Sequence, residues 1–155
     1  MEIIEKLETT KAATLKYYDL SAAQLDQSYA PGKWTTRYLL HHLADAETVL
    51  YDRIRRVISE PRRVLWAFDQ DAWAANLNYA NVPLDLSKRI YAATRDGVIY
   101  YARLYYESKG DLEFVHSETG VRTLKQEFDK VARHNAHHLE QIESALHASG
   151  KFLKK

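Results

Sequence analysis

The sequence predicts an all-α protein, a four-helix bundle formed by a single domain over residues 1–155. Four long segments with apolar side chains at helical spacing carry this prediction, together with the lack of any period-2 strand pattern. The three Pro and five Gly residues fall almost entirely between these segments. A chain of 155 residues suits one domain with a sizeable core.

The first half of the chain predicts two long helices with a short one between them. The first long helix covers residues 2–19. Ser21 and Gln24 form a capping-box pattern that begins a short helix, and Pro31 and Gly32 end it. The second long helix covers residues 36–59, and its apolar side chains recur at steps of three and four.

Residues 60–83 predict a long connection with one short helix at 71–75. Connections of this length are uncommon in compact domains, and they tend to be functional or to cross over the fold. The third long helix covers residues 84–109 and ends at Gly110. Gly97 inside this helix does not require a break.

The C-terminal part of the chain predicts a loop followed by the last long helix. The loop covers residues 111–122. Thr123 and Gln126 repeat the capping-box pattern and begin the helix. The helix is expected to end near Ser149, because Gly150 suits a C-terminal cap.

Composition and charge exclude several classes of function. The 22 Lys and Arg residues against 21 Asp and Glu residues give a formal charge of +1, so nucleic acid and anionic membranes are not expected partners. The chain shows no signal-peptide pattern and no apolar run near the ~20 residues of a membrane span, which favours a soluble cytoplasmic protein. With no Cys, the strong metal ligands available are His, Asp and Glu.

Three histidines fall on the core-facing sides of two predicted helices. In the last helix, His134 precedes His138 by one turn, so both rings project from the same side. In the second long helix, His42 lies on the apolar face, whereas His41 points towards the edge. The face of the last helix that contains His138 comprises Phe128, Val131, Asn135, His138, Ile142, Ala145 and Ser149.

Three inward imidazoles from two helices would form a site with open coordination positions, which is typical of catalytic zinc. Bundle interiors are where such sites are built. A buried imidazole without a partner costs on the order of a few kcal/mol, and a cation would satisfy all three. The alternative is that these are core histidines bonded to backbone carbonyls, since seven His residues produce an i, i+4 pair by chance.

Other polar residues are weaker candidates. Asp45 is three residues after His42 and could orient a ligand or accept a proton, with a solvated or helix-pairing carboxylate as the alternative. Glu47 and Gln141 have weaker claims. The arginines and tyrosines of the third long helix could line a pocket for an anionic substrate, although surface arginines and packed aromatic rings are the simpler interpretation. These are Arg95, Tyr100, Tyr101, Arg103, Tyr105 and Tyr106. His137 and His147 are expected on the surface, and His116 in the loop near the open end of the bundle.

Two motifs resemble those of the DinB-like superfamily. Residues 34–47, WTTRYLLHHLADAE, are similar to its first motif, in which a Trp is followed eight residues later by a His. Residues 134–142, HNAHHLEQI, match its second motif. The segments 71–74, DAWA, and 116–120, HSETG, more loosely resemble the subgroup that includes bacillithiol transferases and metal-dependent hydrolases. The resemblance covers residues 33–146.

The resemblance implies a bundle of DinB type in which the second and third long helices run parallel, joined by a long crossover. It maps the metal ligands of the family onto His42, His134 and His138, with a divalent ion, nickel or zinc, or manganese. Known chemistry in the family implies transfer of a low-molecular-weight thiol to a small electrophilic substrate, or its hydrolysis. Because the chain lacks Cys, a thiol would be an external cosubstrate.

Three further expectations accompany this resemblance. A non-catalytic metal-binding or scaffold bundle is the alternative to an enzyme. Relatives often form homodimers, which the spare apolar residues permit. Tyr38 and Gln141 depart from residues that many relatives carry, and these departures weaken any transfer of substrate from the thiol-transferase subgroup.

Overall fold

Four long helices form the bundle, as the sequence predicts. The computed structural model of the chain describes residues 1–150, with side chains through His147. Within that part of the chain, no helix is both long and apolar enough to cross a membrane. The elements in chain order are α1 (Glu2–Tyr17), α2 (Ala22–Leu25), α3 (Thr36–Ser59), β1 (Val64–Leu65), α4 (Gln70–Asn76), α5 (Leu84–Tyr105), β2 (Glu113–His116), β3 (Gly120–Thr123) and α6 (Leu124–Gly150).

Helices α3 and α5 run parallel, which confirms the predicted crossover between them. His41 of α3 bonds Ser87 of α5, and Glu47 of α3 pairs with Arg95 of α5. From the first contact to the second, the residue numbers increase in both helices, as they do in a parallel pair. The connection between these helices must therefore return along the bundle, and it contains β1 and α4.

Helices α1 and α6 run opposite to that parallel pair. His42 of α3 faces His134 of α6, and Arg53 of α3 pairs with Glu127 of α6, so the contacts advance in opposite directions. Helix α1 is likewise antiparallel to α5. Glu8 and Lys11 of α1 pair with Arg103 and Asp96 of α5, and Asp19, just after α1, pairs with Lys88.

The core consists of two apolar clusters with a polar layer between them. One cluster surrounds Ile54 and Phe128, and the other surrounds Leu40 and Ile142. The polar layer contains Thr14, Glu47, Tyr91, Arg95 and Asn135, one or more from each long helix. His134 and His138 lie next to this layer, on either side of Asn135 in the sequence.

The predicted capping boxes are present, while several helix ends differ from prediction. Ser21 and Gln24 cap α2, and Thr123 and Gln126 make the same reciprocal bonds before α6. Helix α2 ends at Leu25, well before Pro31, because the following residues form a turn closed by a Ser28–Thr35 bridge. Helices α1 and α5 end two and four residues before the predicted limits. Helix α6 includes Gly150, and the residues beyond it lie outside the described part.

The bundle also carries a small three-stranded sheet, for which the sequence shows no period-2 pattern. Strands β2 and β3 pair antiparallel, and β1 adds in parallel to β2. Phe114 and His116 point inward from β2, and Gly120 closes the hairpin at a φ of 75°. The predicted loop at 111–122 is therefore mostly a hairpin, whose four-residue strands are too short to give a clear period-2 signal.

Candidate metal centre

Three imidazole rings meet between α3 and α6. Thr35 caps the start of α3, since its side chain accepts a bond from the backbone N–H of Tyr38, and this start turns His42 inward two turns later. His134 and His138 project from neighbouring turns of α6. One nitrogen from each of the three rings lies within 4.8 Å of the other two. His42 is fully buried and His138 is 8% exposed, so the cluster lies inside the bundle.

The Nε2 atoms of the cluster face one another without enough protons to bond. His134 Nε2 lies 3.1 Å from Nε2 of His42 and 3.1 Å from Nε2 of His138. His138 presents a lone pair there, because its Nδ1 carries the proton that Gln141 accepts at 2.7 Å. If all three rings are neutral, Nε2 of His134 can form an N–H···N hydrogen bond with only one of its two neighbours. The other contact then brings two Nε2 atoms together without a hydrogen bond.

A cation would resolve this conflict, and the spacing fits one. Ligands at the usual Zn–N distance of about 2.0–2.1 Å in tetrahedral geometry stand about 3.3 Å apart. The observed separations of 3.1 Å are close to that value. The residues present therefore suit a divalent ion held by three Nε2 atoms, with coordination positions left for other ligands.

Burial keeps these rings neutral and hence able to donate lone pairs. Burial, with a smaller contribution from the neighbouring histidines, lowers the pKa of His42 to about 3 and that of His134 to about 2. Burial also lowers the pKa of His138, against the bond to Gln141, which raises it. The imidazoles of the cluster are therefore unprotonated at neutral pH.

Packing and a side-chain amide orient the rings. Gln141 accepts from Nδ1–H of His138, and its own amide group lies 3.2 Å from Nε2 of the exposed His137. Nδ1 of His42 is buried and has no hydrogen-bond partner. The His42 ring is instead held by Trp34, 5.2 Å away between ring centroids, and by Phe68, stacked at 6.2 Å.

Asp45 faces the crossover and not the imidazoles. Its Oδ2 accepts a hydrogen bond from the Tyr79 hydroxyl at 2.5 Å, and it makes no bond with the three rings. Burial raises the pKa of Asp45, partly offset by that hydrogen bond. Burial and the carboxylate together raise the pKa of Tyr79. The contact fastens the segment after α4 to α3, one turn from His42.

Two expectations about surface residues are wrong. His41 is 1% exposed, because the parallel packing of α3 on α5 covers it, and its Nδ1 lies 2.7 Å from Ser87 Oγ. Arg95 is fully buried and pairs with Glu47, so neither can meet a substrate. His116 is also buried, on β2.

Other expectations about these side chains are confirmed. His137 and His147 are exposed. Arg103 pairs with Glu8 on the surface. The tyrosines of α5 do not reach the histidine cluster: Tyr100 is exposed, and the partly buried rings that pack against the core are Tyr101, Tyr105 and Tyr106.

An aromatic wall borders the cluster on the crossover side. Phe68 stacks on His42, and Trp73 of α4 packs edge-on against Phe68 with centroids 5.0 Å apart. Trp34 adjoins the same His42 ring, and all three aromatic side chains are half-buried. Sequence reasoning missed this wall. The available signal was the density of aromatic residues in a long polar connection.

A cleft of about 1010 Å³ lies elsewhere, between α1 and the first half of α6. Charged residues of both signs line it, including Glu5, Lys6, Asp129 and Arg133. None of the three clustered histidines contributes to it. Among the described residues, no group of possible metal ligands lines this cleft, so we do not assign it as the functional site.

The chain is similar to the DinB superfamily and to proteins named as metal-dependent hydrolases. The sequence model of the DinB superfamily matches residues 6–142. A protein of Oceanobacillus iheyensis is 29% identical over 127 residues, covering 82% of this chain and 73% of the relative. A second protein from that organism is 32% identical over 126 residues, covering 81% and 73%. A protein of Bacillus mycoides is 30% identical over 143 residues, covering 91% and 80%. All three carry the name "putative metal-dependent hydrolase".

A solved structure shares the fold. YfiT from Bacillus subtilis superposes with a TM-score of 0.87 at 23% identity, over 96% of this chain and 86% of that one. It is described as "a probable metal-dependent hydrolase with an unusual four-helix bundle topology". The likeness shows that the parallel α3–α5 pair belongs to a bundle topology already seen in another protein.

Proposed function

The chain belongs to the DinB superfamily, and we propose that it is a divalent-metal-dependent enzyme that acts on a small electrophilic substrate. One observation carries the proposal: His134 Nε2 lies 3.1 Å from Nε2 of both His42 and His138, and the three neutral imidazoles have too few protons to bond one another. The names of the relatives agree with this chemistry.

His42, His134 and His138 would hold the ion, which we propose to be zinc or nickel, with manganese as a further candidate. An imidazole donor set suits zinc and nickel. A divalent cation held there supplies Lewis acidity, which lowers the pKa of a nucleophile in its open positions. Gln141 accepts the Nδ1 proton of His138, so that Nε2 and not Nδ1 would be the nitrogen that holds an ion.

The remaining residues shape the space around that point. Phe68, Trp34 and Trp73 form an apolar wall that excludes water and offers a surface for the apolar part of a substrate. The Tyr79–Asp45 bond holds the crossover against α3, so that the wall stays in place. The chain has no Cys, so a sulfur nucleophile would come from a cosubstrate.

Hydrolysis is the reaction that the names of the relatives favour. Transfer of an external thiol is the second candidate, because residues 34–47 and 134–142 also resemble the subgroup that contains bacillithiol transferases. Both reactions need an activated nucleophile beside a small electrophile. They differ only in whether water or a thiol occupies the open position.

The test is turnover of a panel of esters, epoxides and alkyl halides by zinc- or nickel-loaded protein, with water alone, glutathione or bacillithiol. We expect metal-dependent turnover in wild type, and a loss of 100-fold or more in His138→Ala with an unchanged melting curve, on the order of the effects of lost metal chemistry. His147→Ala, an exposed histidine of the same helix, is the matched control and should match wild type. Equal turnover in His138→Ala and wild type would favour a non-catalytic bundle instead.

A further inference from the structure

Lys130 stands next to the histidine cluster on α6. It precedes His134 by four residues, so its side chain leaves the same face about one 5.4 Å turn away. The side chain is half-buried, and its ammonium group makes no hydrogen bond or ion pair within the described residues. The charge of Lys130 lies close enough to His134 to contribute to the lowering of that ring's pKa.

The carboxylate whose charge acts on Lys130 is already paired. Glu127, a turn earlier on α6, is buried and pairs with Arg53 at 3.4 Å. Arg53 also donates to the Trp66 carbonyl at 2.6 Å, and its buried Nε has no partner. Arg122 and Arg133 add further positive charge around Lys130. Positive side chains therefore outnumber the single carboxylate among the charges that act on Lys130.

We propose that Lys130 binds a negatively charged substituent of the substrate while the reacting group sits at the three histidines. The inference rests on the proposed function, and it adds a substrate class: small electrophiles or thiols that carry a carboxylate or a similar anion. Because Lys130 precedes His134 by one helical turn, the anion and the reacting group would be joined by a short linker.

The energetics favour an occupied site. A half-buried ammonium has lost part of its hydration, and burial lowers the pKa of Lys130. An incoming anion would restore a charge-assisted hydrogen bond, which is about twice as strong as a neutral one.

The experiment compares charged and neutral thiols on the cobalt-loaded protein, whose visible absorption reports ligand binding at the metal. The probes are 3-mercaptopropionate, 2-mercaptoethanesulfonate and the neutral 3-mercaptopropionamide. We expect wild type to bind the anions about tenfold more tightly than the amide, equivalent to ~1.4 kcal/mol. Lys130→Gln should abolish that preference. Lys125→Gln, which removes an exposed lysine paired with Glu107 on the same helix, should keep it.

The outcomes separate this inference from the proposed function. If cobalt binds and the anion preference is absent in wild type, or survives in Lys130→Gln, the role of Lys130 is wrong while the metal centre stands. If cobalt does not bind, the proposed function fails. The inference is then judged on metal-free protein, by NMR titration with 3-mercaptopropionate. Amide shifts around Lys130 that vanish in Lys130→Gln would support it, and unchanged spectra would overturn it.

Discussion

Gln141 determines which nitrogen of His138 faces the cluster. Its Oε1 accepts the Nδ1 proton at 2.7 Å, leaving the Nε2 lone pair directed at His134. Partners of this kind fix the tautomer and orientation of a ligating imidazole. His137, the exposed partner of Gln141 on its other side, touches nothing in the cluster except the ring of His138.

Replacing Gln141 should therefore weaken metal binding without unfolding the protein. In Gln141→Leu the His138 ring is free to present either nitrogen, and we expect zinc affinity to fall about 10- to 100-fold. Competition with a chromogenic chelator measures it. His137→Gln is the control and should change affinity little. Equal affinity in Gln141→Leu and wild type would show that packing alone orients His138.

At the scale of the elements, Arg95 joins the four long helices. Its guanidinium pairs with Glu47 of α3 through Nε at 2.5 Å and Nη2 at 2.8 Å. It also donates to the Leu7 carbonyl and Thr10 of α1 and to Asn135 of α6. Asn135 precedes His138 by three residues and follows His134 directly. The polar layer thus sets the relative positions of the helices that carry the histidines.

Removing Arg95 should be costly. Arg95→Met leaves the buried Glu47 carboxylate without a cation, and we expect the free energy of unfolding to fall by about 3–5 kcal/mol. Urea denaturation measures it. Arg103→Met removes an exposed pair with Glu8 and should cost at most about 1 kcal/mol. Similar losses in the two variants would contradict a special role for the buried pair.

For the whole molecule, the buried histidines make stability depend on pH. The pKa values are about 3 for His42, about 2 for His134 and about 4 for His41, each lowered chiefly by burial, against about 6.5 in the unfolded chain. The unfolded chain therefore binds more protons below pH 6.5. The contribution of these neutral rings is fully present above pH 6.5 and is lost progressively as pH falls through the folded pKa values of about 4 to about 2.

Metal-free protein should accordingly lose stability on mild acidification. We expect its free energy of unfolding to fall by about 2 kcal/mol or more between pH 6 and pH 5, since each such histidine contributes up to ~1.4 kcal/mol per pH unit. Urea unfolding at the two pH values measures this. His42→Leu should reduce the slope, because it removes one of these groups. A free energy of unfolding that is the same at both pH values would contradict the burial of the rings.

Positions that follow helical periodicity could be predicted from the sequence. The faces of α3 and α6 follow from steps of three and four, so the inward positions of His42, His134 and His138 could be predicted. Arg95 lies on the same buried face as Tyr91, Val98 and Ala102. Its burial was missed because arginine was expected at the surface.

Contacts made by the crossover could not be predicted. The stacking of Phe68 on His42 and the Tyr79–Asp45 bond depend on the path of residues 60–83, which no periodic pattern encodes. Strand β1 has two residues and pairs with a strand far along the chain. Such short pairings between distant residues depend on how the bundle packs, and they leave little pattern in the local sequence.

The most direct test of the account is the metal content and coordination of purified protein after loading with zinc and dialysis. Wild type should retain about one zinc per chain, with three imidazole nitrogens at about 2.0–2.1 Å by X-ray absorption, and His138→Ala should retain essentially none. Wild type that holds no zinc, nickel or manganese, or His138→Ala that holds as much zinc as wild type, would contradict it.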